Sequence, residues 1–74
     1  FVAASIREAN FQGAMLQGAA IQQSDALRAS FREACLVGVH FGGSNLYQAE
    51  FFLAQTEDLN LELANVQGTR LEVL

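Results

Sequence analysis

The sequence predicts a repeat protein whose chain coils, turning a corner every five residues. Three observations predict this fold: a bulky or medium-sized apolar residue recurs at every fifth position, a mostly small residue lies two positions ahead of it, and the period continues along all 74 residues without an insertion. In such a coil the same two positions of every unit point inward. The repeat therefore predicts a fold, but it does not identify a substrate or a binding partner.

The apolar column supplies the predicted core. Each phenylalanine or leucine buried there should contribute about 1.5 to 3 kcal/mol of stability. Ala26 and Thr56 are the clear departures from the column. The predicted structural core consists of Phe1, Ile6, Phe11, Leu16, Ile21, Phe31, Leu36, Phe41, Leu46, Phe51, Leu61, Val66 and Leu71.

A five-residue period fits neither of the two regular secondary structures. On an α-helix, apolar residues at every fifth position would move around the cylinder by about 140° per repeat, which leaves no common face to bury. On a flat strand, side chains alternate between two faces, so a five-residue step reverses the face each time. A coil with a corner in each unit satisfies the period.

Composition excludes several classes of protein. Half of the residues are hydrophobic, yet no apolar run reaches the roughly 20 residues that cross a bilayer, so no transmembrane segment is predicted. Four arginines, no lysine and eight acidic residues disfavour direct binding to nucleic acid, which needs clustered positive charge. Cys35 is a single cysteine and cannot form an internal disulfide, which is compatible with a reducing compartment such as the cytoplasm and does not fix the compartment.

Three units carry a recognisable pattern: Ala-Asn-Phe-Gln-Gly at Ala9 to Gly13, Ala-Ser-Phe-Arg-Glu at Ala29 to Glu33, and Ala-Asn-Val-Gln-Gly at Ala64 to Gly68. This pattern resembles the pentapeptide-repeat proteins, whose loose consensus is Ala-(Asp/Asn)-Leu-X-X. The resemblance covers the whole chain, although the unit from Leu59 to Leu63 departs from the consensus.

The resemblance implies an all-β fold, a right-handed quadrilateral β-helix with four pentapeptides per coil. Residues 1–74 would then form a single domain of just under four coils, which we interpret as a piece of a longer or processed chain because it begins at Phe1 with no signal peptide. Positions twenty apart should stack, so Phe11, Phe31 and Phe51 are expected to form an aromatic ladder. The small column would lie beside the wall of the coil, and Val39, Leu59 and Leu74 depart from it, so the C-terminal coil is expected to pack less tightly.

Several apolar residues point outward in this register. Leu27, Tyr47, Phe52, Leu53 and Val73 fall within neighbouring rungs and form the predicted protein interface, and Leu63 is expected to join them. The partner would be another protein, a flanking domain of the same chain, or a second copy in a homodimer. Two alternatives remain open, because flanking sequence could cover these residues or the register could slip in the last coil.

The sequence offers little chemistry. Cys35 and His40 lie one repeat apart, so on adjacent faces of a coil they diverge and cannot readily form a nucleophile and base pair. No histidine or cysteine spacing supplies the three or four ligands of a metal site, and Gly42-Gly43 lacks the lysine and hydroxyl residue of a phosphate-binding loop. We therefore predict no enzymatic activity, no cofactor and no metal.

The net negative charge lies entirely in the C-terminal third. Residues 1–49 carry as many arginines as acidic residues, whereas the later part carries Glu50, Glu57, Asp58, Glu62 and Glu72 against Arg70. Some pentapeptide-repeat proteins resemble DNA in shape and charge and bind gyrase, so a gyrase-binding DNA mimic is one alternative function. A scaffold domain within a larger bacterial effector or membrane-associated protein is another. Acidic residues also occur simply on solvated faces, and DNA mimicry would require them along several more coils.

Overall fold

The computed structural model describes residues 2–69, and within them the backbone pairing repeats every twenty residues. Single-residue parallel bridges connect the position before each apolar residue to its equivalent twenty residues later, from Ser5 with Asp25 to Asn45 with Asn65. Across this range there is no α-helix and no strand longer than one bridge residue. Four five-residue units therefore separate each residue from its paired neighbour in the next coil.

One unit, residues 26–30, illustrates how the backbone is satisfied. Its first and third amides donate to carbonyl oxygens of the following coil at 2.8 and 2.9 Å, and its fifth donates to the preceding coil at 2.9 Å. The fourth amide donates back to the carbonyl of the first at 3.0 Å, which closes a turn. The second amide donates to Asp25 Oδ1 at 3.3 Å. All five N–H groups are therefore hydrogen-bonded, as close packing of a backbone requires.

Every turn has the same backbone conformation at its third residue. This residue has a positive φ in each unit from Ala3 to Gly68, which is the requirement of a type II turn. Glycine adopts this conformation without the steric cost that a Cβ imposes. Five of the six glycines lie in this column: Gly13, Gly18, Gly38, Gly43 and Gly68.

The core is a stack of inward apolar side chains. The fully buried ones run from Ile21 to Leu46, with Phe51 at its edge, and Ala26 is also fully buried although it is small. Towards both ends, Ile6, Phe11, Leu16, Leu61 and Val66 are partly buried and pack against this cluster. Phe1 and Leu71 lie outside the described residues.

Phe31 lies at the centre of an aromatic cluster. Its ring stacks on Phe11 and Phe51 with centroids 5.2 and 5.3 Å apart and interplanar angles of 4° and 12°. Phe41 packs edge-on against Phe31 at 5.4 Å. These separations lie within the range that favours aromatic pairs.

The inward small column tolerates one larger residue better than expected. Val39 is fully buried, its amide closes the turn on Leu36 at 3.0 Å, and its carbonyl accepts from Asn60 at 3.0 Å. The coil therefore accommodates the two extra methyl groups of Val39 with its hydrogen bonds intact. At Leu59 the turn bond to the carbonyl of Thr56 is absent, although both residues lie in the described range. Leu74 lies outside that range.

Candidate apolar corner and notch

Outward side chains of the coil are concentrated at four corners, one at each turn of the twenty-residue repeat. We name three of them by a prominent residue. The Phe52 corner contains residues 12–13, 32–33 and 52–53; the Tyr47 corner contains 7–8, 27–28, 47–48 and 67–68; the Leu63 corner contains 2–3, 22–23, 42–43 and 62–63.

The Phe52 corner presents two large apolar side chains side by side. Phe52 is 62% exposed and Leu53 is 66% exposed. The guanidinium of Arg32 lies 5.5 Å from the centroid of the Phe52 ring, which is a cation–π contact between neighbouring coils. Leu53 occupies the turn position with positive φ, at 61°. Exposed apolar surface and an unfavourable backbone conformation therefore coincide at this corner.

The Tyr47 corner holds the other two described residues of the predicted interface. Leu27 and Tyr47 lie twenty positions apart in one column and are each partly buried. Next to them, Arg28 Nε donates to Gln48 Oε1 at 3.2 Å. The face that carries Glu50 separates this corner from the Phe52 corner. The predicted interface residues therefore fall on two neighbouring corners, and Val73 lies outside the described residues.

Leu63 lies away from both of these corners. It is 89% exposed, and its corner is two turns along the coil from the Phe52 corner, hence diagonally opposite in a four-cornered coil. The expectation that Leu63 joins the same apolar cluster is wrong. It fails because ten positions are half of the twenty-residue repeat, so Leu53 and Leu63 lie on opposite sides of the solenoid.

The Leu63 corner also contains an open notch. The notch measures about 360 Å³ and lies where the corner carries Gly42 and Gly43 between longer side chains of the coils on either side. The amide side chains of Gln22, Gln23 and Asn60 and the carboxylate residue Glu62 line it. We call it the Gly42 notch.

Acidic side chains differ in their pairing between the two halves of the described chain. In residues 2–49, each acidic side chain has a polar partner: Glu8 with Arg28 at 3.8 Å, Asp25 with Arg7 at 3.5 Å, and Glu33 with Gln12 at 3.2 Å. The acidic side chains of residues 50–69 are Glu50, Glu57, Asp58 and Glu62, and none of the described arginines lies within ion-pair distance of them. The uncompensated negative charge is therefore confined to the last described coil.

The residues considered for catalysis lie in separate columns. Cys35 bridges Met15 and Gln55, whereas His40 bridges Ala20 and Asn60 on the adjacent face. Cys35 is a free, partly buried thiol. Among residues 2–69, no group of three or more histidine, cysteine, aspartate or glutamate side chains could hold a metal ion. The same residues include no helix of the length and apolarity needed to cross a bilayer.

The structure also gives a role to the asparagine and aspartate residues that precede the apolar column. Asn10, Asp25, Asn45, Asn60 and Asn65 each accept a hydrogen bond from the amide two residues later, at 2.9 to 3.3 Å. This is the Asx-turn interaction. Three of them also form a ladder across coils, because Asn65 donates to Asn45 at 3.3 Å and Asn45 donates to Asp25 at 3.2 Å. Their regular spacing in the sequence was the available signal for this role.

Comparisons with known proteins concern the fold. No protein-family model and no curated protein sequence matches the chain. The structure is similar to the crystal structure of a pentapeptide repeat protein from the cyanobacterium Cyanothece 51142, with a TM-score of 0.80 over 82% of this chain and 21% sequence identity. The match spans 42% of the length of that cyanobacterial chain. The chain therefore has the pentapeptide-repeat fold that its sequence resemblance predicted.

Proposed function

We propose that this chain is a non-enzymatic structural and interaction module that presents a rigid β-solenoid surface to another protein. The observation that carries the proposal is the pair Phe52 and Leu53, adjacent in the chain and each more than three-fifths exposed. Contiguous exposed apolar side chains on a small domain are typical of a protein-binding surface.

The fold itself has no need of these two side chains. Both lie at turn positions, where other units carry glycine, glutamine, glutamate or arginine. Leu53 adopts a left-handed conformation that costs a residue with a Cβ roughly 1 kcal/mol relative to glycine. Glycine would satisfy this turn position at lower cost, so the repeat does not itself require leucine there.

Neighbouring features extend the proposed surface. Leu27 and Tyr47 form the next corner, and Glu50 lies on the face between the two corners. Backbone bonds connect every described coil to the next, so these side chains are held on a continuous framework. The proposed partner is another protein, a flanking domain of the same chain, or a second copy of the chain.

A double variant, Phe52→Gln with Leu53→Gly, should abolish partner binding without lowering stability. Loss of the Arg32 contact costs about 0.5 to 1 kcal/mol, and relief of the left-handed leucine returns roughly 1 kcal/mol. Urea unfolding should therefore give a midpoint close to that of the wild type. Affinity capture from an extract of the native host, followed by mass spectrometry, should yield proteins that the double variant no longer retains.

The matched control is Leu63→Gly, which removes an exposed leucine from the same kind of turn position on the opposite corner. It should retain the proteins that the double variant loses. An identical set of captured proteins for all three chains would overturn the proposed surface. Light scattering of the wild type beside the double variant tests the homodimer form of the proposal, because a dimer should become a monomer.

Residues 1–74 would form a single right-handed quadrilateral β-helix of just under four coils. The twenty-residue pairing across residues 2–69 supports it.

The gyrase-binding DNA mimic is less well supported. Within the part of the chain that the structure describes, the acidic side chains without a polar partner lie at positions 50–69, and the preceding coils balance acidic residues with arginines. A DNA-like surface requires negative charge along its length. An assay of gyrase supercoiling would decide this alternative, and the length of the native gene would decide whether the chain is a scaffold domain of a larger protein.

A further inference from the structure

Gly42 is an exception among the glycines of this chain. The other five occupy the turn position with positive φ, but Gly42 lies one residue earlier and does not have a positive φ. A Cβ added at Gly42 would meet only the carbonyl oxygen of Glu62, at 3.6 Å, which is an ordinary van der Waals contact. Neither backbone conformation nor packing therefore requires glycine at this position.

The consequence of Gly42 is the notch itself. All other described units carry a side chain longer than glycine at this turn position, including Gln22 and Glu62 directly before and after it in the stack. Gly42 and Gly43 together leave a gap between those two side chains. A side chain from another molecule can therefore enter where this chain has none.

The lining of the notch defines the chemistry of an occupant. Glu62 has no ion-pair partner among the described residues, and Gln22, Gln23 and Asn60 add side-chain carbonyl oxygens that accept hydrogen bonds. Val2 and Leu63 supply exposed apolar surface at the rim. Leu63 also holds the strained left-handed conformation, with φ at 62°. A negative charge with several acceptors beside an apolar rim matches a side chain that has an aliphatic stem and a cationic head.

We infer that the Gly42 notch binds a basic side chain of a partner protein, and arginine in particular. Its guanidinium carries five donors, which can bond a carboxylate and neighbouring amide oxygens together. The aliphatic stem would pack on Leu63 and Val2. This site lies diagonally opposite the Phe52 corner, so it is independent of the function proposed above.

Titration of the isotope-labelled chain with Nα-acetyl-arginine amide, followed by two-dimensional NMR, tests the site. Saturable shifts should concentrate on Gln22, Gln23, Gly42, Gly43 and Glu62. The citrulline analogue has the same shape without the charge and should bind roughly ten-fold more weakly, because hydrogen bonds to charged groups are the stronger ones.

Two variants and one control complete the test. Glu62→Gln should weaken arginine binding by roughly ten-fold, and Gly42→Gln should abolish it by filling the notch. Glu57→Gln removes a carboxylate from another corner and should leave binding unchanged. Equal binding of arginine and citrulline amides, shifts spread over Glu50, Glu57 and Asp58 alike, or the absence of saturable shifts at the notch would each overturn the inference. Glu62→Gln keeps the test valid even if the filled variant does not fold.

Discussion

Replacement of Phe31 by alanine should unfold the chain at room temperature. Phe31 is fully buried and contacts the rings of Phe11, Phe41 and Phe51. A buried phenylalanine reduced to alanine costs about 3 to 5 kcal/mol, which is comparable with the whole stability of a small domain, about 5 kcal/mol at the low end of the usual range. Far-ultraviolet circular dichroism and urea unfolding should show loss of the cooperative transition.

Phe52→Ala is the matched control, because it removes the same side chain from an exposed turn position. Its cost should be limited to the Arg32 contact, about 0.5 to 1 kcal/mol at an exposed site. Comparable stability losses for the two variants would show that the inward and outward assignments are incorrect.

Insertion of one alanine after Gly38 should be as damaging as the loss of Phe31. Every later residue would move by one position in the five-residue unit, so His40 and Asn45 would replace Phe41 and Leu46 in the inward apolar column. Burial of a polar side chain without a hydrogen-bond partner costs roughly 1 to 3 kcal/mol each, and the shift buries several. The variant should lack a cooperative unfolding transition.

Insertion of a second copy of residues 19–38 at the same point is the control, since these twenty added residues preserve both the turn positions and the stacking. In a repeat protein each coil contributes its own stability and that of its interface with its neighbours. This longer chain should therefore be at least as stable as the wild type in urea. If the single insertion were tolerated as well as the twenty-residue insertion, the repeat would not control the fold.

The five-residue period is what made the fold predictable. Side chains five positions apart, such as Phe31 and Leu36, cannot share one face of a strand, and the series does not share one face of a helix, which leaves a coil with a corner in each unit. The stacking distance of twenty came from the resemblance, because periodicity alone does not say how many corners close one coil.

Two features of the turns escaped the sequence interpretation. The recurrence of glycine at positions such as Gly13 and Gly38 indicated a left-handed turn residue, and the asparagines before the apolar column indicated turn capping. Both signals are present in the sequence, but they depend on backbone dihedral angles rather than on hydrophobic pattern. The apolar columns alone therefore do not reveal the glycine turns or the asparagine caps.

The outward residues were harder to place. Their exposure follows from the period, but their grouping depends on which corner each occupies around the coil. Leu53 and Leu63 illustrate the difficulty, because they are equivalent within their units and lie on opposite corners. The Gly42 notch requires the stack itself, since its lining comes from four successive coils.

Disulfide formation between Cys35 and a cysteine introduced at position 15 tests the twenty-residue coil most directly. Met15 and Cys35 form a parallel bridge, and neighbouring strands lie about 4.8 Å apart, within the Cα separation that a disulfide accepts, about 4.4 to 6.8 Å. Oxidation of Met15→Cys should give a monomeric chain with an internal disulfide, detected by mass spectrometry after proteolysis. Ala20→Cys, on the adjacent face, should remain reduced under the same conditions. Equal oxidation of the two variants, or no internal disulfide in Met15→Cys, would contradict the coil.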